Sequence, residues 1–164
     1  MIYNTFKVKT AYEFGFGMSY TNFSYSPVKL SGSTFKNKIT ATVTITNTGK
    51  VAGKEVVQLY LSAPAVKLDK PSEELRAFGK TNLLQPGQSQ TMTFTIDARD
   101  LSSYDTKSAS WIAEAGNYTV KIGASSTNFK STASFKLPKE LMVEKLHKVC
   151  SPKVTFDEMK APLR

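Results

Sequence analysis

Hydrophobic and polar positions alternate along two segments of the chain. In residues 38–46 the odd positions are apolar and the even positions are mostly threonine, and in residues 90–96 Met92, Phe94 and Ile96 alternate with threonine. A period of two is typical of a strand with one face against a core and the other in water. Both segments are therefore predicted to be strands.

Apolar runs bounded by turn residues predict five further strands. The run at 55–62 is apolar on both faces and ends before Pro64, so we expect it at the centre of a sheet with both sides covered. The others are residues 22–30, 75–84, 117–124 and 128–137. Between residues 97 and 108, Asp97 or Asp100 can cap a short helical turn that crosses between sheets. About seven short strands with regular turn signals predict an all-β, immunoglobulin-like sandwich of two sheets.

Tyr118 begins one of these strands, six residues after Ile112 and two after Gly116. In immunoglobulin-like sandwiches a tyrosine at this place folds its hydroxyl back to the preceding backbone and forms a tyrosine corner. The alternative is an ordinary aromatic side chain that points inward. Because the chain lacks a pair of cysteines, the fibronectin type III variety of the sandwich is favoured over the antibody type.

Residues 13–20 place large apolar side chains between small residues, just before the first predicted strand. The large side chains are Phe14, Phe16, Met18 and Tyr20. Neither a tight turn nor a core strand requires this pattern, and burying one such side chain stabilises a fold by roughly 1.5–3 kcal/mol. The segment is therefore predicted to dock against another surface through these four residues.

The pattern changes after Pro138. Residues 140–149 fit neither the helical nor the strand period and predict either one short helix or an edge strand. Residues 153–164 form an extended tail with four apolar side chains, which predicts packing on this chain or on a neighbour.

Composition and charge narrow the possible partners. At 164 residues the chain is long enough for one domain with one core. Its formal net charge is +9, but the lysines and arginines are scattered along predicted strands and form no basic run, which argues against nucleic-acid binding. No apolar stretch reaches the length of a membrane span. The single cysteine excludes an intramolecular disulfide and a cysteine-rich zinc site.

The sequence contains no pattern that predicts an active site. The only histidine, His147, lies three residues before Cys150, with nothing nearby that resembles an oxyanion hole. The aspartates at 97, 100 and 105 lack the spacing of a calcium loop, and Gly15 and Gly17 lack the third glycine of a phosphate-binding loop. No catalytic residue, metal site or cofactor is therefore predicted for this chain.

Several motifs carry a family resemblance. Residues 14–21, which read Phe-Gly-Phe-Gly-Met-Ser-Tyr-Thr, resemble the segment that opens the C-terminal fibronectin type III-like domain of family three glycoside hydrolases, the β-glucosidases and their relatives. The resemblance continues in order through residues 43–49, 53–61, 70–78, 84–87, 116–120 and 123–126. Ala77 stands where the family has glycine, and Glu13 where it has proline.

The resemblance implies a domain division and a parent enzyme. Residues 1–20 would be a linker from a missing α/β sandwich domain, residues 21–137 the fibronectin type III-like domain and residues 138–164 a C-terminal extension. In the whole enzymes the aspartate nucleophile and the acid/base glutamate lie in two other domains, so no catalytic residue transfers to this chain. The parent would be a periplasmic or secreted retaining β-glucosidase that hydrolyses terminal β-glucosides or related β-glycosides.

Three roles follow for the chain itself. The first is a non-catalytic module docked on the missing catalytic domains of the same polypeptide. The second is a carbohydrate-binding module, in which exposed aromatics such as Trp111, Tyr104 or Tyr25 would stack on sugar rings. The third is an adhesion-type sandwich whose strand edges bind protein.

Overall fold

The structure, a computed structural model, describes residues 10–147 and Val154. This part of the chain forms eleven strands and one short helix, α1 (Ala98–Leu101). The strands are β1 (Phe23–Tyr25), β2 (Lys29–Leu30), β3 (Lys38–Asn47), β4 (Val56–Ser62), β5 (Glu74–Lys80), β6 (Ser89–Asp97), β7 (Ser103–Asp105), β8 (Ser110–Ala113), β9 (Gly116–Gly123), β10 (Phe129–Leu137) and β11 (Leu141–Lys145).

The first sheet is built around β3. Strand β6 pairs with one edge of β3, while β1 and β2 share the other, all antiparallel. The apolar positions of β3 are buried: Ile39, Ala41, Val43 and Ile45. Threonines cover the outer face, where Thr44 and Thr91 hydroxyls lie 2.9 Å apart. The alternation predicted for both strands is confirmed.

The second sheet has the antiparallel order β10-β9-β4-β5 and packs its inner face on the first. Val57, Leu59 and Leu61 of β4 are buried in the common core with apolar residues of β3 and β9. Strand β4 lies between two neighbours, as its two apolar faces predicted. These two sheets confirm the all-β sandwich.

A capped helical turn leads out of the first sheet. The Asp97 carboxylate accepts hydrogen bonds from the backbone N–H groups of Arg99 and Asp100, and the Asp100 carboxylate accepts one from the backbone N–H of Asp97. This reciprocal capping box satisfies donors that the first turn would otherwise leave unpaired. The cap predicted at Asp97 is confirmed.

The third sheet, ordered β11-β8-β7, was not predicted as a unit. Its strands are three to five residues long, which is too short for a period of two to stand out in the sequence. Within residues 140–149, the alternative of an edge strand applies to Leu141–Lys145, which pairs with β8. The predicted run 22–30 is divided into β1 and β2 around Pro27. The predicted packing of the tail 153–164 lies outside the described residues except for Val154.

Candidate docking surface

Residues 12–20, called the aromatic segment, are held on the second sheet by polar contacts near their start. The backbone N–H of Ser126 donates to the Phe14 carbonyl at 2.9 Å, and the Ser125 hydroxyl donates to Glu13 Oε1 at 2.9 Å. Hydrogen bonds from its own backbone N–H and from Ser125 lower the pKa of Glu13 from its usual range, so the carboxylate is charged near neutral pH. The segment is thereby attached to the turn after β9.

Gly15 lets the segment approach strand β4 closely. Its φ is +81°, and a Cβ atom there would lie 2.2 Å from Gln58 Nε2. Gln58 is itself held in place, because its Nε2 donates to the Ala124 carbonyl at 2.8 Å and its Oε1 accepts from the Tyr60 hydroxyl at 2.6 Å. A side chain at position 15 would therefore push the segment off this surface.

The far end of the segment is fixed by Thr21, which is buried. Its hydroxyl donates to Asn47 Oδ1 at 2.7 Å. A Cβ atom at Gly49 would lie 2.1 Å from the same hydroxyl oxygen, so the β3–β4 loop packs directly on Thr21. The backbone N–H of Thr48 also donates to the Asn22 carbonyl at 2.8 Å. Both ends of the aromatic segment are thus anchored to the sandwich.

The large side chains between these anchors point away from the core. The exposed fractions are 71% for Tyr12, 67% for Phe14, 48% for Phe16, 92% for Met18 and 99% for Tyr20. The rings of Tyr12 and Phe16 contact each other, with centroids 5.0 Å apart. Large exposed apolar patches are typical of interaction surfaces. The four residues expected to form a docking contact are placed where a second surface can reach them.

Val56 and Phe78, called the outer patch, were not singled out from the sequence. Phe78 of β5 pairs directly with Gln58 of β4, and residues paired in this way point to the same face. Val56 lies two residues before Gln58 and shares that face. Both side chains are exposed. One signal was available in the sequence: Phe78 lies two residues before Lys80, so in a strand it shares the face of a charged residue, which predicts an outward aromatic.

Tyr118, unlike these exposed side chains, is fully buried in the core. Its hydroxyl donates to the Glu114 carbonyl at 2.8 Å, and its ring stacks on Phe135 with centroids 5.5 Å apart. Burial raises the pKa of Tyr118, so its hydroxyl stays protonated and remains a donor.

The Glu114 carboxylate holds the loop that follows β4. It accepts from the Lys67 backbone N–H at 2.6 Å and lies 2.7 Å from Lys70 Nζ. Burial alone would raise the pKa of Glu114, but the hydrogen bonds from Lys70 and from the Lys67 backbone outweigh it and keep the pKa below its usual value. The sequence did not predict this buried pair, because its partners come from separate loops.

The aromatics considered for sugar stacking do not form one platform. The Arg99 guanidinium lies 4.3 Å from the centroid of the Trp111 ring. The neighbouring Tyr104 ring is tilted 55° from Trp111. Tyr25 belongs to the first sheet, and its hydroxyl donates to Glu55 at 2.7 Å. This geometry does not favour the carbohydrate-binding alternative.

Two other kinds of feature are absent from the described part of the chain. Within residues 10–147, no group of three or more His, Cys, Asp or Glu side chains is placed to hold a metal ion. No helix in that range has the length and apolar character needed to cross a membrane.

Comparison with known proteins identifies the sandwich. A family model described as "Fibronectin type III-like domain" matches residues 55–126. Beta-glucosidase A of Butyrivibrio fibrisolvens is 40% identical over 158 residues, which cover 85% of this chain and 19% of that protein. Beta-glucosidase BoGH3A of Bacteroides ovatus is 40% identical over 136 residues, which cover 82% of this chain and 18% of that protein.

Solved structures of β-glucosidases contain a region with the same fold as this chain. Beta-glucosidase 3B from Thermotoga neapolitana, in complex with alpha-D-glucose, superimposes with a TM-score of 0.81 at 45% identity, covering 87% of this chain and 19% of that one. A beta-glucosidase from Paenibacillus barengoltzii gives 0.86 at 35% identity over 97% of this chain and 19% of that one. The chain thus spans about a fifth of the length of these relatives. With the sequence resemblance confirmed in this way, the chain is a fibronectin type III-like domain similar to those of family three β-glucosidases.

Proposed function

We propose that this chain is a non-catalytic structural module of a β-glucosidase, docked through its aromatic segment on the catalytic domains of the same polypeptide. One observation carries the proposal. The segment is anchored to the sandwich at both ends, while Phe14, Phe16, Met18 and Tyr20 remain exposed. An isolated soluble domain gains nothing from fixing such side chains in water, whereas a docked one buries them.

The division of the chain belongs to the same proposal. Residues 1–20 act as the linker, residues 21–137 as the sandwich module and residues 138–164 as an extension. In support, β10 ends at Leu137, and the strand after it joins the separate small sheet.

A non-catalytic role leaves the two-carboxylate chemistry of the enzyme to other parts of the full-length polypeptide. A retaining glycosidase needs two carboxyl groups about 5–5.5 Å apart that face a substrate. On this proposal the full-length polypeptide hydrolyses terminal β-glucosides or related β-glycosides with retention, using carboxylates that this chain does not supply.

The chain on its own is expected not to hydrolyse nitrophenyl β-glucoside. Its preparation should release no more nitrophenol than buffer does, while the full-length polypeptide turns the substrate over. Activity that follows the chain through successive purification steps and scales with its concentration would contradict the non-catalytic assignment.

Replacing Phe16 with alanine is expected to affect the full-length polypeptide more than the isolated chain. In the chain the side chain is half exposed, so the free energy of unfolding should fall by only about 1 kcal/mol, as measured by urea denaturation. In the docked state the loss approaches the roughly 3–5 kcal/mol of a buried phenylalanine, and thermal inactivation should be several-fold faster. Met142→Ala, an exposed apolar residue on β11, is the control and should change neither. Equal destabilisation of the two proteins by Phe16→Ala would count against docking.

A further inference from the structure

We infer that the docking surface extends from the aromatic segment onto the outer patch and fits a partner surface with an apolar centre and carboxylates at its edge. The partner is a neighbouring domain of the same polypeptide, so the inference rests on the proposed function. It adds the extent of the surface and the chemistry of what covers it.

The aromatic segment and the outer patch meet at Gln58. The backbone of Gly15 lies against the Gln58 amide, and Phe78 lies directly across from Gln58 on the neighbouring strand. The Gln58 amide forms hydrogen bonds with the Ala124 carbonyl and the Tyr60 hydroxyl, so its position between the aromatic segment and the outer patch is fixed. A surface that covers Phe16 and extends past Gln58 therefore reaches Phe78.

The amount of aromatic surface requires a large partner. Phe78 is 72% exposed, comparable to Tyr12 and Phe14. Since an aromatic side chain buries about 150–250 Å², the exposed aromatics of the segment and the patch together present on the order of 700 Å². The largest apolar patch of a typical monomer is about 300–600 Å², and one side of a standard protein interface is about 800 Å². The area matches a domain interface.

The charges around the outer patch indicate which charged groups lie at the edge of the partner surface. Lys80 pairs with Val56 and shares its face, and the exposed Lys54 precedes Val56 by two residues. Neither lysine forms an ion pair with another described residue, whereas Lys121 on the same sheet is paired with Glu73. The edge is therefore positive, and it fits carboxylates. A second copy of this chain would bring the same lysines to the contact, so charge disfavours self-association as the cover.

Hydroxyl-radical footprinting, read by mass spectrometry, tests the extent of the surface without any substitution. The 164-residue chain and the full-length polypeptide are oxidised in parallel, and the rate at each side chain is compared. We expect Phe16, Met18 and Phe78 to react at least several-fold more slowly in the full-length polypeptide. Met142 is the matched control for Met18, because both are exposed methionines, and it should react equally in the two.

The outcomes separate the inference from the proposed function. Protection of Phe16, Met18 and Phe78 together supports both. Protection of Phe16 and Met18 with Phe78 unchanged overturns the extension to the outer patch and leaves docking intact. No protection at any of the three overturns both.

Charge reversal tests the chemistry of the edge. In the full-length polypeptide Lys80→Glu should raise the oxidation rate of Phe78 towards its value in the isolated chain, because carboxylates of the partner would then face a like charge. Lys29→Glu, on the other sheet, is the control and should leave the rate unchanged. If Lys80→Glu leaves Phe78 fully protected, the partner has no acidic edge at this place and that part of the inference is wrong.

Discussion

Replacement of Lys70 with methionine is expected to destabilise the chain by about 3–5 kcal/mol, because it leaves the carboxylate of Glu114 buried without its counter-ion. The side chains of Lys70 and Glu114 are 2% and 3% exposed, with Nζ and Oε2 2.7 Å apart. Methionine keeps most of the aliphatic volume, so the change removes mainly the charge. The urea midpoint at neutral pH measures the loss.

A second substitution separates charge from packing. In Lys70→Met/Glu114→Gln the amide oxygen can still accept from the Lys67 backbone N–H, and no buried charge remains. Most of the lost stability should therefore return. If the double variant is as unstable as Lys70→Met, the pair acts through packing and the electrostatic argument fails.

The pH dependence gives an independent check. In the folded chain the pKa of Glu114 is lowered from its usual 4.5, so its ionisation stabilises the fold. This contribution is complete above pH 4.5 and is lost as the pH falls through the lower folded-state pKa. In Lys70→Met the burial of Glu114 dominates and raises the pKa of its carboxyl group instead. Protonation in acid then removes the unpaired buried charge. The stability difference between the two proteins should therefore begin to shrink above pH 4.5, where the variant takes up its proton, and shrink further below pH 4.5, where the parent chain loses its stabilising carboxylate. A constant difference would contradict this account.

Tyr118→Phe is expected to cost about 1–3 kcal/mol, the penalty for leaving a buried acceptor without its donor. The change removes only the hydroxyl that donates to the Glu114 carbonyl, and the ring stack on Phe135 is kept. We propose that this contact is the tyrosine corner of the sandwich. The free energy of unfolding from urea denaturation measures the effect.

The matched control for Tyr118→Phe is Tyr104→Phe. Tyr104 is partly exposed on β7, where water can form hydrogen bonds with its hydroxyl. Its replacement should change the stability by less than about 0.5 kcal/mol. If the two variants lose equal stability, the buried hydrogen bond of Tyr118 has no special role.

Glu114 joins two parts of the module that these variants probe separately. Its backbone carbonyl accepts a hydrogen bond from the Tyr118 hydroxyl. Its carboxylate accepts one from the Lys67 backbone N–H and forms an ion pair with the Lys70 ammonium group. The loop after β4 is therefore fixed to the start of β9. This rigidity concerns the sandwich itself, and the proposed docking surface lies on the outer face of the same sheet.

Much of the sandwich could be predicted because each long strand turns alternate side chains towards the core. Strand β3 has ten residues with one buried face, so its alternation is unmistakable. The short strands β7, β8 and β11 do not extend over enough residues to show a period, and their pairing depends on where α1 directs the chain.

The residues of the proposed docking surface were predictable only in part, for a related reason. The unusual composition of residues 13–20 marked Phe14, Phe16, Met18 and Tyr20 as candidates. Phe78 joins them through strand register, which places it opposite Gln58. Register is set by the whole sheet and by the bulge between Leu59 and Tyr60, so a single run of sequence does not reveal it.

Alternation and composition are local properties, so the sequence was enough to predict the all-β class and the two main sheets and to mark the aromatic segment as a candidate docking element. The contact of the segment with Gln58, the position of Phe78 and the pairing of Lys70 with Glu114 depend on the three-dimensional fold. Those contacts join residues far apart in the chain, such as Lys67 and Glu114, which are separated by 47 residues. Their positions follow from how the strands pair and pack, since a side chain meets a distant partner only after the sheets have set its direction.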